Sequence, residues 1–163
     1  MANQNSNTAN RNEATDFINL KVLLNGAVIS GEYGIIAVEV VKNYNKIASA
    51  KVVFADGDPA KQDFIISSND AALVPGNELE ITMGYHAQSK TIFKGIITNH
   101  TIKSGKSKHS NLIIEAKDKA IKLSFNRNSL YFIDKTDSEI IETIAKNVGY
   151  QNGDLDIKPS LGV

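Results

Sequence analysis

The side chains best suited to chemistry are few and scattered. Three histidines stand at His86, His100 and His109, and none has the i, i+4 spacing or the paired acidic context of a helical zinc site. His100 and His109 flank Ser104-Gly105, so a two-residue hairpin turn there would set the two imidazoles opposite one another. Two such ligands without a third fall short of the set that zinc sites use. Asp56, Asp58, Asp63 and Asp70 gather carboxylates that a hard cation would accept, but Gly57 sits between the first two and the alternating positions of an EF-hand loop are not met. The stretch reads better as a turn-rich surface loop. Glu78 and Glu80 fall on the same face of a predicted strand, where water is their natural neighbour rather than a catalytic cleft.

Lys103, Lys106 and Lys108 form a basic hairpin tip, whose default role is to stay solvated and blunt edge pairing. The absence of cysteine removes disulfides, thiolate metal sites and cysteine nucleophiles. No serine occupies a G-x-S-x-G elbow, and no glycine run makes a phosphate loop. The sequence therefore implies no catalytic residue, no metal and no cofactor, and is expected not to be an enzyme.

The elements that must position these residues are mostly strands. At 163 residues the chain has the length of one domain, or of one domain plus a fragment of another, and is large enough to bury its own core. Lys plus Arg and Asp plus Glu both number 18, so net charge gives no pull toward a polyanion and no nucleic-acid partner is expected. Residues 1–16 are polar and rich in asparagine, threonine and alanine, which reads as a flexible arm rather than a signal peptide or membrane span.

From Phe17 the pattern changes. Ile18, Leu20, Val22 and Leu24 alternate with polar residues, and Asn25-Gly26 supplies a tight turn in which both residues tolerate positive φ. Tyr33 to Lys42, with Ile36, Val38 and Val40 on one face, and Ile47 to Phe54 read as strands around a polar turn at Asn43 to Lys46. Pro75-Gly76-Asn77 is a turn, and Glu78 to Tyr85 alternates cleanly, with Leu79, Ile81, Met83 and Tyr85 on the face opposite Glu78, Glu80 and Thr82. Thr91 to Lys103 and Lys108 to Ala116 form a long hairpin. Lys117 to Leu123 reads as a short helical turn with Ala120 and Leu123 inward, and Leu130 to Ile133 as a further short strand. Thr136 with Glu139 makes a capping box ahead of the stripe Ile140, Ile141, Ile144, Ala145 and Val148, and Gly149 ends the helix.

The residues alone reach a small β-barrel or β-sandwich with a following helix. The stretch TIFKGIITNHTIKSGKSKHSNLIIEAKDKAIKLSFNRNSLYFIDKTDSEIIETIAKNVGY, Thr91 to Tyr150, resembles the N-terminal hub region of VgrG-type spike proteins of type VI secretion systems. Phage late-control protein D and the spikes of extracellular contractile injection particles share that region. Three pieces carry the likeness: Phe93-Lys94-Gly95-Ile96-Ile97-Thr98; Arg127-Asn128-Ser129 with Phe132, Asp134 and Lys135; and the helix Ile140 to Gly149. Leu73 to Tyr85 is similar to the turn and strand that precede them, and Leu130 departs from the pattern, a basic residue being frequent there.

The resemblance implies a mainly β fold, a small β-barrel of the phage tail hub type followed by an amphipathic α-helix. It divides the chain into an arm (1–16), a hub barrel (17–124), and a connecting strand, helix and start of a following domain (125–163). It further implies a structural hub that trimerises, joins a hexameric inner tube to a membrane-puncturing spike, and meets baseplate proteins. A spike tip protein and effectors would be reached through C-terminal parts beyond these residues. Such a protein is assembled in the cytoplasm and leaves with the injection particle. The alternative from the residues is a stand-alone barrel that binds a peptide, a glycan or nucleic acid.

Overall fold

The computed structural model describes residues 18–29, 33–57, 66, 73–85, 88–104 and 110–160. These form seven strands, β1 (Asn19–Leu24), β2 (Ala27–Val28), β3 (Ile35–Val41), β4 (Ser49–Asp56), β5 (Glu78–Tyr85), β6 (Gln88–Lys103) and β7 (Ser110–Lys117). A 3-10 helix (Lys119–Ser124), the α-helix α1 (Asp137–Asn147) and a 3-10 turn (Asn152–Asp154) follow. The strands make one sheet in the order β2-β1-β5-β6-β7-β4-β3, and every pairing is antiparallel. The fold is mainly β, as the alternating pattern predicts.

One face of the sheet holds the core. Val22 and Leu24 of β1, Val52 and Phe54 of β4, Leu79 and Ile81 of β5, Phe93 and Ile97 of β6, and Leu112, Ile114 and Ala116 of β7 belong to a single buried cluster with Ile66 and Leu73. Each such aliphatic or phenyl group contributes about 1.5–3 kcal/mol by leaving water. Helix α1 supplies no member of that cluster, so the curled sheet's own side chains, with Ile66 and Leu73 from between β4 and β5, exclude the solvent. Among the described residues no ladder joins β2 to β3, and the curl therefore stays open there.

Three bulges help to produce the curl. Register shifts leave Ile36 as the extra residue in β3, and Ile92 and Thr98 as extra residues in β6. A bulge bends its strand and increases the twist. At the last of them the Thr98 hydroxyl donates to the Glu115 carbonyl at 3.2 Å. At Gly95 an added Cβ would overlap the Lys117 carbonyl and come 2.7 Å from the Phe93 ring. Glycine thus lets β6 press close against β7.

Several sequence expectations hold in detail. Asn25 (φ 48°) and Gly26 (φ 83°) form the tight β1–β2 turn, and the Asn25 side-chain oxygen accepts from the Glu78 backbone N–H at 2.9 Å. Strand β5 has the expected bounds, and Gly76 takes positive φ at the turn before it. Others are corrected. Ile36 is 56% exposed rather than inward, because its bulge hands the core position to Ile35. Ile18 and Tyr85 lie exposed at strand ends, beyond the reach of the core. Leu130 to Ile133 forms no strand; it runs without a ladder partner into a bend at Ile133-Asp134. Leu123 is exposed, since the 3-10 helix projects past the sheet.

Candidate interaction surface

The residues singled out for chemistry do not converge. His100 pairs with Ile114 across the hairpin, not with His109, because the loop is longer than two residues: Lys103 opposes Asn111. The Thr98 bulge turns His100 toward the core side, where its Nδ1–H donates to the Leu73 carbonyl at 3.1 Å. His86, His109, Lys106, Lys108, Asp58, Asp63 and Asp70 lie outside the described residues. Asp56 is buried, and its Oδ1 accepts from the backbone N–H groups of Gly57 and Ile66. It ties Ile66 to the end of β4. Glu78 pairs with Lys94 at 3.1 Å and Glu80 accepts from the Thr91 hydroxyl at 2.6 Å, both on the outer face. The hydrogen bond from Lys94 to Glu78, reinforced by the opposite charge, raises the lysine's pKa above its ordinary 10.5. Among the described residues no three potential metal ligands cluster, and no helix is long and apolar enough to cross a membrane.

What the structure does assemble is a junction and a bare surface after β7. Asp118 ends the sheet: its backbone N–H donates to the Ala48 carbonyl just before β4, and its Oδ1 accepts from the Ala120 N–H at 2.9 Å, capping the 3-10 helix. The same oxygen accepts from the Tyr150 phenol at 3.2 Å. Lys119 stands 5.2 Å from the centre of the Tyr150 ring and 3.7 Å from the Asp154 carboxylate. Desolvation, and then the Asp118 charge, pushes the Tyr150 phenol up to about 12, so it remains a donor across the physiological range. These groups, with Glu78, Lys94 and Lys122, line a groove of about 490 Å³ whose charges largely cancel.

Helix α1 is formed by local signals that work as the sequence suggests. Thr136 caps the Glu139 N–H, and Glu139 reaches back to the Thr136 N–H at 2.8 Å. At the other end the Gly149 N–H bonds the Lys146 carbonyl and the Tyr150 N–H bonds the Ala145 carbonyl, with Gly149 at φ 92°. That pair of bonds is a Schellman cap. Of the apolar stripe only Ala145 is buried; Ile141 and Ile144 remain exposed.

Along the connecting segment Leu123, Phe125, Leu130, Tyr131 and Ile133 are also exposed, Tyr131 at 98% and Ile133 at 80%. Lys135 lies 6.0 Å from the Phe132 ring centre, and Asp134 takes φ 53°. A second groove, of about 460 Å³, runs between this segment and α1, lined by Leu123, Leu130, Phe132, Ile144 and Val148. Sequence reasoning placed these residues in a strand and a buried helix stripe and so missed that they form a surface.

The curled sheet with its trailing helix is a fold shared with phage tail proteins. The 43 kDa tail protein of prophage MuSo2 from Shewanella oneidensis superposes with a TM-score of 0.60 at 12% identity, covering 82% of this chain and 38% of its own. A tail protein from Neisseria meningitidis MC58 gives 0.55 at 14% identity, covering 80% and 34%. An Escherichia coli component of the type VI secretion system, described as structurally similar to the T4 bacteriophage tail proteins gp27 and gp5, gives 0.56 at 13% identity, covering 82% and 33%. The chain thus spans between a third and two fifths of the length of these structures. No curated protein matches by sequence. Residues 14–157 match the Alg8 N-terminal domain, and the chain belongs to that family.

Proposed function

We propose that the chain is a structural hub element of a phage-tail-like contractile injection apparatus, of the VgrG-type spike class, acting without catalysis. The observation that carries this reading is the apolar surface of Phe125, Leu130, Tyr131 and Ile133 on a tail-protein fold. Exposed apolar patches mark sites of association. In this reading three copies close into a ring through contacts that repeat by rotation, and the ring joins a hexameric inner tube to a puncturing spike beside baseplate proteins. The curled sheet, held by a dry core, transmits load from tube to spike. Assembly takes place in the cytoplasm, and the protein leaves with the particle; a spike tip protein and effectors ride on further parts of the assembly.

The test is composition. Sheathed particles purified from the source cells are digested and quantified by mass spectrometry against labelled peptides of this sequence and of the tube protein. The expected result is three copies of this sequence per particle, with tube protein in multiples of six. Recovery of the sequence only in fractions free of sheath and tube would overturn the proposal and favour a free-standing binding barrel.

A further inference from the structure

Residues 119–160 hold one another through a set of polar contacts, while their 3-10 helix rests against β6. Lys119 reaches Asp154 and the Tyr150 ring, while Ser138 and Ser160 exchange hydrogen bonds, the Ser138 N–H donating to the Ser160 hydroxyl at 3.2 Å and the Ser160 N–H returning one at 3.4 Å. Ala145, the buried residue of α1, stands outside the core cluster of the sheet. A hydrogen-bonded tie to the sheet passes through Asp118. Its backbone is fixed to Ala48, and one of its carboxylate oxygens receives both the start of the 3-10 helix and the phenol that follows the cap of α1.

We infer that Asp118 is the pivot of a hinge and that the Tyr150 phenol is its latch, setting the orientation of residues 119–160 against the sheet. Hinges need few residues, placed at the ends of elements, that absorb a change in backbone angle. Asp118 meets that description, lying between the last strand and the 3-10 helix. The Schellman cap fixes where Tyr150 leaves α1, so closing or opening one hydrogen bond moves the whole helical unit. The apolar surface that this unit carries is thereby aimed by a residue that forms no part of it. Tyr150 is a positioning residue, and the inference concerns geometry within one chain, independent of which assembly the chain enters.

The chain lacks cysteine, so introduced pairs take spin labels uniquely. Labels at Glu39→Cys and Asp137→Cys span the hinge, and labels at Glu39→Cys and Lys21→Cys lie within the sheet. In Tyr150→Phe, which keeps the ring beside Lys119 and removes only the hydroxyl, the hinge-spanning distance distribution is expected to broaden and shift. The sheet-internal distribution is expected to stay as it was. Amide exchange in α1 should accelerate about tenfold, the ratio that loss of one hydrogen bond to a charged group gives, with the amides of β5 to β7 unchanged. Asp118→Asn, which retains an acceptor oxygen without the charge, should give a smaller shift in the same direction. An unchanged hinge-spanning distribution in both variants would overturn the inference. So would unfolding of the sheet, or equal acceleration of strand and helix amides, because either would make Tyr150 part of the core's stability rather than a latch.

Discussion

In the sheet, Phe54, Ile81 and Ile114 are wholly withdrawn from water, whereas in the segment after it Tyr131 and Ile133 stand almost fully exposed. Both regions are rich in branched and aromatic side chains, so composition does not separate them. The difference lies in what backs the apolar face. Antiparallel strands with three bulges close on their own side chains and on Ile66 and Leu73, while among the described residues one short helix and an extended connector have nothing of comparable area to fold against. A single amphipathic helix gains most of its stability from what it packs on, and here that packing is thin. The sheet buries one whole face, and residues 119–160 are a polar-latched unit whose apolar side chains stand exposed.

This contrast can be broken most severely from the sheet side. Phe54→Ala removes a fully buried ring that also meets Tyr33 edge-on at 6.4 Å, and should cost about 3–5 kcal/mol in denaturant unfolding. Gly95→Ala forces β6 away from the Lys117 carbonyl. It should cost about 1–3 kcal/mol as an overpacking change, seen as a lower unfolding midpoint with strand amides exchanging faster. Thr136→Ala, by contrast, removes the N-cap of α1 and should cost about 1 kcal/mol. That loss is confined to the helix: α1 amides accelerate while the sheet's midpoint holds. A shift of the sheet's midpoint by the same amount would mean that the two regions unfold as one.

Acid should distinguish the regions more gently. The backbone hydrogen bond from Thr136 holds the Glu139 carboxyl below its ordinary 4.5. A carboxyl depressed in the folded state stabilises above its unfolded pKa and loses that contribution as pH falls through the folded value. Helix α1 should therefore loosen below about pH 4.5 before strand signals change, which NMR shifts of residues 136–147 would follow. The smallest effect is expected at the outer-face pair Lys94–Glu78, both partners of which are largely solvated. Lys94→Met should change stability by no more than about 0.5 kcal/mol, measured by the same unfolding experiment.

The parts of the fold legible in the sequence are those governed by local chemistry. Asn25-Gly26, Gly76, the capping box at Thr136 and the glycine cap at Gly149 all act within a few residues, and all are where the pattern places them. Strand β5 was equally legible, because Glu78 to Tyr85 keeps a strict two-residue period over its whole length. What eluded the sequence was the bulges. Each inserts one residue and reverses the facing of what lies beyond it, so Ile36 points away from the core and His100 toward it, while the pairing of His100 with Ile114 rather than His109 follows from the longer β6–β7 loop. The bare surface eluded it for a related reason. Apolar residues at Leu130 to Ile133 look the same whether a strand neighbour covers them or none does, and only the tertiary structure shows that none of the described residues does so.

An assembly surface in the exposed segment would be separable from the fold of the sheet that carries it. Replacing Tyr131 and Ile133 together, as Tyr131→Asp and Ile133→Asp, in the source cells tests it most directly, with the yield of sheathed particles containing the protein as the readout. The variant is expected to keep its strand signals and unfolding midpoint while particles incorporating it disappear. Particles recovered at the unaltered yield, with the variant in its usual copy number, would contradict this expectation.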